Sequence, residues 1–309
     1  MEYLSERREY LGSPSMLRLF TASLLSLFLL APTGFADEVS VKRSYVDLEW
    51  GQMHLRTAYP VTLSDASPVV CFAPNPYSGN YYSLLLKELA RDRVVIAPDY
   101  PGLGQSDRPE AELDIADHAD IMAEVLLRAG WGPKGRGPID ACGYHTGTFI
   151  ATELALRHPA LVRRLVLVGI PFYRGAERAE RYEKLGKVRP LPEALAALEQ
   201  DWIFAVEQRA EGVALERGFE NFIESAAAWR NKSRIYGAVF QYPAEQRAPL
   251  LIHPTLVLNP HGSLKGPTED FASLIANAEL IELPDLKYGI FDIAPDVIAG
   301  QSRAFLDRP

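Results

Sequence analysis

The sequence has few cysteines, no long hydrophobic run and no cluster of positive charge. Two of its 309 residues are cysteine, too few for the disulfide framework of a small secreted domain. The longest apolar run, 19–31, is too short for a good membrane span. The formal net charge is −8, without basic residues interleaved with aromatic ones, which argues against nucleic acid as a partner. Beyond the first segment, no membrane association is predicted.

Residues 1–36 are predicted to be a signal peptide. Arg18 precedes the apolar run, and small residues follow the run up to a cleavage point predicted between Ala36 and Asp37. Because residues upstream of Met16 are polar and charged, Met16 is a candidate for the true start. The sequence therefore predicts an exported protein, periplasmic or secreted, with an uncleaved anchor as the alternative.

From residue 44 onward, predicted strands alternate with predicted helices. Among them are the strands 68–72 and 278–283 and the helices 146–157 and 269–277. Such alternation is typical of a mostly parallel sheet with helices on both faces. The predicted fold class is therefore α/β, and the hydrophobic content of 48% is sufficient for a sizeable core.

Residues 172–250 interrupt this alternation. They are helical in pattern, charged and rich in alanine, and they follow the sixth predicted strand. We therefore predict a helical cap over 172–250, inserted between a first core part (37–171) and a second core part (251–309). A cap in this position is expected to cover the functional site and to select the ligand.

Four stretches resemble the α/β-hydrolase superfamily. They are the loop APDYPGLGQSDRP at 97–109, the motif GYHTG at 143–147, the strand at 254–258 and the closing segment 283–306. They follow one another in the order of that family and cover nearly the whole mature chain. The resemblance implies an α/β-hydrolase fold, with an eight-stranded, mostly parallel sheet.

The motif GYHTG stands where the family has its nucleophile elbow, G-x-S-x-G, a strained turn that raises one side chain above the sheet. Gly143 and Gly147 supply the small residues that this turn needs, so the raised side chain is that of His145. The family's acid and histidine positions align with Ser263 and Tyr288. Because serine hydrolysis needs a nucleophile, a base and an acid, an ordinary serine hydrolase is not expected.

One part of the family's machinery is retained in the sequence. After the third strand the family has H-G-x-P, and this chain has APNP at 73–76. The resemblance implies that the N–H groups of Asn75 and Thr146 form a two-donor oxyanion hole at the start of a helix.

His145 has two main interpretations. As a general base beside these donors it would remove a proton next to a carbonyl, with Tyr288 as proton donor, in lyase- or isomerase-like chemistry. Alternatively, His145 and Tyr288 are hydrogen-bonding walls of a pocket without turnover, as in a pseudoenzyme. Hydrolysis by a non-standard constellation is a third alternative. The aromatic residues of the cap favour a small, mostly apolar ligand with a carbonyl or carboxylate group.

No cofactor and no metal is predicted. His145 and His261 lie on loops at the same edge of the predicted sheet, but no third ligand accompanies them, and a catalytic zinc usually has three. Cys71 and Cys142 fall on neighbouring core strands and are predicted to be buried free thiols, with a disulfide as the alternative. The sequence leaves the oligomeric state open.

Overall fold

The computed structural model describes residues 39–62 and 64–309. The predicted signal peptide, 1–36, lies outside the described residues. Eight strands form one sheet in the order β1-β2-β4-β3-β5-β6-β7-β8. Their bounds are β1 Ser40–Leu48, β2 Gly51–Tyr59, β3 Val69–Phe72, β4 Val95–Pro98, β5 Ile139–Tyr144, β6 Val162–Val168, β7 Thr255–Pro260 and β8 Ala278–Leu283.

The sheet is mostly parallel, as the sequence predicts. β1 and β2 form an antiparallel hairpin, and β2 is also antiparallel to β4. All further neighbours, from β4 through β3 to β8, pair in parallel. The carboxyl ends of these parallel strands therefore meet at one edge of the sheet, where α/β proteins of this kind bind their ligands.

Helices cover both faces of the sheet, and five helices lie between β6 and β7, within the predicted cap. The helices are α1 Ser83–Leu89, α2 Ile115–Arg128, α3 Thr146–Arg157, α4 Gly175–Arg181, α5 Glu199–Trp202, α6 Leu215–Ala227, α7 Trp229–Gln241, α8 Ala244–Arg247, α9 Lys265–Ala272, α10 Ile290–Ile293 and α11 Pro295–Leu306. No helix of residues 39–62 and 64–309 has the length and apolar content needed to cross a membrane.

The hydrophobic core has two layers because side chains alternate between the faces of each strand. In β3, Val70 and Phe72 belong to the cluster that includes residues of α2 and α3. Val69 and Cys71 belong to the opposite cluster, with residues of α1 and α11. The four strand residues are all buried, so the sheet is covered on both sides at its centre.

Cys71 and Cys142 lie directly opposite each other on β3 and β5. Both are buried and both are free thiols, the first of the two predicted alternatives. Hydrogen bonding to Cys142, together with burial, raises the pKa of the Cys71 thiol. The Cys71 thiol is therefore protonated at neutral pH and poorly reactive.

The predicted helix 269–277 is displaced in the structure. α9 begins four residues earlier, at Lys265, and ends at Ala272. Pro267 falls in its first turn, where the missing N–H of proline is not needed for the helical hydrogen bonds. By contrast, the helix predicted at 146–157 and the strand predicted at 278–283 have the predicted bounds.

Candidate functional site

The turn between β5 and α3 has the strained geometry of an elbow. His145 is the one residue other than glycine with positive φ in the described part of the chain, with φ 50° and ψ −119°. Its N–H donates to the carbonyl oxygens of Val168 (3.3 Å) and Gly169 (3.2 Å) at the end of β6. Its own carbonyl oxygen accepts from the N–H and the hydroxyl of Thr148. These bonds hold a backbone conformation that costs on the order of 1–3 kcal/mol.

Two glycines allow the turn to close. A Cβ atom on Gly143 would lie 2.7 Å from the N of Thr148 and closer still to the backbone of Gly147. A Cβ atom on Gly147 would lie 2.6 Å from the carbonyl carbon of Phe72, in β3. Real Cβ atoms do not approach backbone this closely, so the close packing of α3 against β3 and β5 requires glycine at both positions.

The imidazole of His145 stands without a carboxylate partner among the described residues. Its Nδ1 atom shares a hydrogen bond of 3.2 Å with the hydroxyl of Thr146. The ring is half-buried and makes edge contacts with Tyr236 (6.2 Å between centroids) and Tyr144 (6.5 Å). Burial, with a smaller contribution from Arg181, lowers the pKa of His145 to about 4. The imidazole is therefore neutral at pH 7.

Thr146 contacts the imidazole directly, and Asn75 is hydrogen-bonded to Tyr236, whose ring contacts the imidazole. Asn75 is buried, and its Oδ1 atom has no hydrogen-bond partner. The N–H of Asn75 donates to none of the described residues. Thr146 is the first residue of α3, whose first N–H groups have no intrahelical acceptor. The oxyanion hole formed by these two N–H groups stays a prediction, and the free Oδ1 of Asn75 adds a hydrogen-bond acceptor.

Helix α7 closes the site from above. The side-chain Nδ2 of Asn75 donates to the carbonyl oxygen of Lys232 (2.8 Å), and the hydroxyl of Tyr236 donates to the carbonyl oxygen of Asn75 (3.0 Å). On α6, Glu224 accepts from both the N–H and the hydroxyl of Ser78 (2.8 and 2.9 Å). These bonds hold α6 and α7 on the loop that carries Asn75.

Ser263 and Tyr288 lie together but apart from His145. Both are exposed, Tyr288 by 52%, and both line a shallow surface depression with Tyr144 and Gly262. Neither makes a hydrogen bond or ring contact with His145 in the described part of the chain. Tyr144 contacts the His145 ring and also lines the depression.

His261 belongs to a third cluster. Its Nε2 atom lies 2.6 Å from a carboxylate oxygen of Glu282, which also accepts from the side chain of Asn259. Across residues 39–62 and 64–309, no group of three or more histidine, cysteine or acidic side chains is arranged to hold a metal. His261 therefore pairs with Glu282, whereas the imidazole of His145 shares its hydrogen bond with Thr146.

Two residues next to His145 were given no role in the sequence analysis. Tyr236 comes from the cap, far along the chain, and the sequence predicts for it only a place among the cap aromatics. Tyr144 is the second residue of the GYHTG motif. The large side chain at that position is the sequence signal that could have indicated its contact with the imidazole. Burial, together with Tyr288, raises the pKa of Tyr144 to about 12, so its hydroxyl stays protonated.

Comparisons with known proteins agree with this fold. A family model described as the α/β hydrolase fold matches residues 68–218. The polyketide synthase ThaQ of Burkholderia thailandensis is 30% identical over 242 residues, which are 75% of this chain and 11% of ThaQ. The 2-hydroxymuconate semialdehyde hydrolase of Pseudomonas sp. CF600 is 40% identical over 92 residues, which are 28% of this chain and 30% of that enzyme. The chain therefore spans less than a third of the length of either relative.

A solved structure extends the comparison to the whole described unit. A hydrolase from Pseudomonas aeruginosa PA01 superposes with a TM-score of 0.70 at 19% identity, covering 86% of this chain and 99% of that one. At this identity the likeness concerns the fold. The family model and the shared fold together show that the chain has the α/β-hydrolase fold, and they support the α/β-hydrolase superfamily as its family.

Proposed function

We propose that this protein binds a small, mostly apolar carbonyl compound at the elbow and does not form a serine acyl-enzyme. The observation that supports this most is the side chain at the tip of the elbow. It is an imidazole, with no hydroxyl nucleophile in its place and no carboxylate partner among the described residues. An acyl-enzyme needs a nucleophile activated by a base, and that pair is missing from the tip.

The polar groups around His145 suit a carbonyl group. The N–H groups of Asn75 and Thr146 are donors for a carbonyl oxygen, and the free Oδ1 of Asn75 would accept a hydrogen bond from a neighbouring hydroxyl. The rings of Tyr144 and Tyr236 supply apolar walls. The relatives' names denote a semialdehyde hydrolase and a polyketide synthase, and both names refer to carbonyl compounds.

Binding without turnover fits the described geometry better than general-base catalysis. A base works best when its pKa is near the operating pH, whereas the pKa of His145 lies at about 4. Tyr288, the candidate proton donor, makes no hydrogen bond or ring contact with His145 in the described part of the chain, and it lines a depression of which His145 is not a lining residue. General-base chemistry is the second candidate, supported by the neutral imidazole beside two donors.

The test uses the purified protein with a fluorophosphonate probe and a panel of esters, lactones and β-keto acids. We expect no labelling and no turnover, together with thermal stabilisation by a carbonyl ligand, about 2.7 kcal/mol at a hundredfold excess over Kd. His145→Ala should abolish that stabilisation. His253→Ala is the matched control, because His253 precedes β7 at the opposite edge of the sheet. Labelling of a serine would contradict the proposal, and turnover lost in His145→Ala would favour the second candidate.

We also propose that the protein is exported after cleavage at residue 36. The support is the pattern of a basic residue, an apolar run and small residues in 1–36. N-terminal sequencing of the protein from the periplasm or medium is expected to begin at Asp37. Retention of residues 1–36 in a membrane fraction would support the anchor instead.

A further inference from the structure

We propose a second ligand site, separate from the elbow, in which Arg108 and Arg234 bind the oxyanion group of a small molecule. The site lies in a cleft between the chain around the start of α2 and helix α7. The cleft has a volume of about 850 Å³, within the usual size of small-molecule sites. His145 and Asn75 are not among its lining residues.

Two guanidinium groups converge on the carboxylate of Glu112, a residue that lines both this cleft and a small cavity beside it. Arg234 pairs with Oε1 of Glu112 through Nη1, and the Nη2 of Arg108 lies 3.4 Å from the same oxygen. Burial and the charge of Arg108 lower the pKa of Arg234, because the two cations repel each other. Glu112 is 67% exposed, so it can leave the arginines without unfolding the chain. Glu112 thus occupies the position that a ligand oxyanion would take.

Buried polar atoms beside the arginines have no partner. A small cavity lined by both arginines also includes His118 and Asn231, and shares Glu112 and Arg234 with the large cleft. His118 is 2% exposed, yet its Nδ1 atom makes no hydrogen bond, and neither does the buried Nε of Arg234. Buried polar atoms in folded proteins are nearly always satisfied. Two orphaned atoms at one cavity therefore point to a polar ligand that approaches from the cleft.

The charges nearby favour an anion over a cation. Asp114 and Asp117 form the capping box of α2, and each accepts a backbone N–H of that turn. Glu153 accepts from Arg247 and from Tyr242. These carboxylates therefore already accept hydrogen bonds from other groups, whereas Arg108 and Arg234 share only the exposed carboxylate of Glu112. Guanidinium groups match carboxylate and phosphate oxygens in pairs, so both are candidate ligand groups.

Calorimetric titration with benzoate and with inorganic phosphate tests this site. Glu112→Gln removes the competing charge and should tighten binding of at least one of the two anions by about tenfold relative to the wild type. Arg234→Gln and Arg108→Gln should each abolish that binding. Glu279→Gln, which breaks an exposed Arg308 pair elsewhere, should leave binding unchanged, and so should His145→Ala, which separates this site from the elbow.

The outcome also identifies the ligand group. If only benzoate gives heat on binding, the ligand group is a carboxylate. If only phosphate gives heat, the ligand group is a phosphate. Either result supports the proposal. If Glu112→Gln binds neither anion, the cavity holds a water and the ion pair is structural, which overturns the proposal. Retained affinity in Arg234→Gln overturns it as well. If Arg234→Gln does not fold, Arg234→Lys replaces it, because lysine keeps the charge but loses the paired geometry and should weaken binding.

Discussion

Replacement of Gly147 by alanine tests the elbow on which the functional proposal rests. A Cβ atom at this position would lie 2.6 Å from the carbonyl carbon and 3.0 Å from the Cβ of Phe72, and closer still to its carbonyl oxygen. Favourable contacts between such atoms are about 3.5–4.0 Å long. Phe72 ends β3, a strand paired on both sides within the sheet. The strand cannot yield, so α3 would have to move outward and carry His145 and Thr146 with it.

The magnitude follows from two opposing effects. Overpacking costs roughly 1–3 kcal/mol, and a clash between two backbone segments belongs at the upper end, about 3 kcal/mol. Alanine regains about 1 kcal/mol of helix propensity over glycine. We therefore expect Gly147→Ala to lower the free energy of unfolding by about 2 kcal/mol in urea titrations followed by circular dichroism.

Gly300 provides a control in the same type of structure. It lies in α11, and a Cβ atom there would meet nothing within 4 Å. Gly300→Ala should therefore stabilise the protein by about 0.5–1 kcal/mol. If Gly147→Ala were as stable as Gly300→Ala, then α3 would not pack against β3 as described, and the placement of His145 would be wrong.

Three further predictions concern buried charge, pH and the elbow residue. Glu153→Gln leaves Arg247 without its counterion and should lower the free energy of unfolding in urea by about 2 kcal/mol. Glu279 is exposed, so the control Glu279→Gln should change that free energy by less than about 0.5 kcal/mol. Burial lowers the pKa of His118 from 6.5 to about 4, so the unfolded chain binds the proton first and stability falls between pH 6.5 and pH 4, by about 3 kcal/mol. The pKa of His145 is lowered in the same way, so each histidine should account for about half of the stability lost on acidification. His118→Gln should therefore halve the fall in the urea midpoint between pH 6.5 and pH 4. An unchanged fall would contradict this account. His145→Ser should give no fluorophosphonate labelling on a denaturing gel, and strong labelling would show that a base reaches the elbow.

Much of the fold could be predicted because its signals are local. The helix at 146–157 begins directly after a glycine-flanked turn and ends before a proline, and the strand at 278–283 is bounded by proline and a polar loop. The start of α9 could not be predicted in the same way. Its sequence, KGPTEDFA, opens with residues that usually break helices, and they are tolerated because they fall in the first turn.

The site was predictable only in its backbone. The spacing of Gly143 and Gly147 gives the elbow and places His145 at its tip, because those requirements lie within five residues. The neighbours of the imidazole depend on which way side chains turn and on how the cap docks. Tyr236 reaches His145 from α7, about ninety residues along the chain, and no local pattern specifies that contact.

Because of the tyrosines near the elbow, we expect that a serine at position 145 would not by itself give a hydrolase. Tyr144 contacts the His145 ring and lines a depression with Tyr288. It can do so because Gly169 has no side chain: a Cβ atom there would lie 2.8 Å from the Tyr144 ring. Tyr288 in turn lies over Gly262, where a Cβ atom would be 3.2 Å from its ring. The two aromatic rings and the two glycines therefore form one packed arrangement. Since a base must come within hydrogen-bonding distance of a nucleophile to activate it, hydrolysis would require this arrangement to be rebuilt together with residue 145.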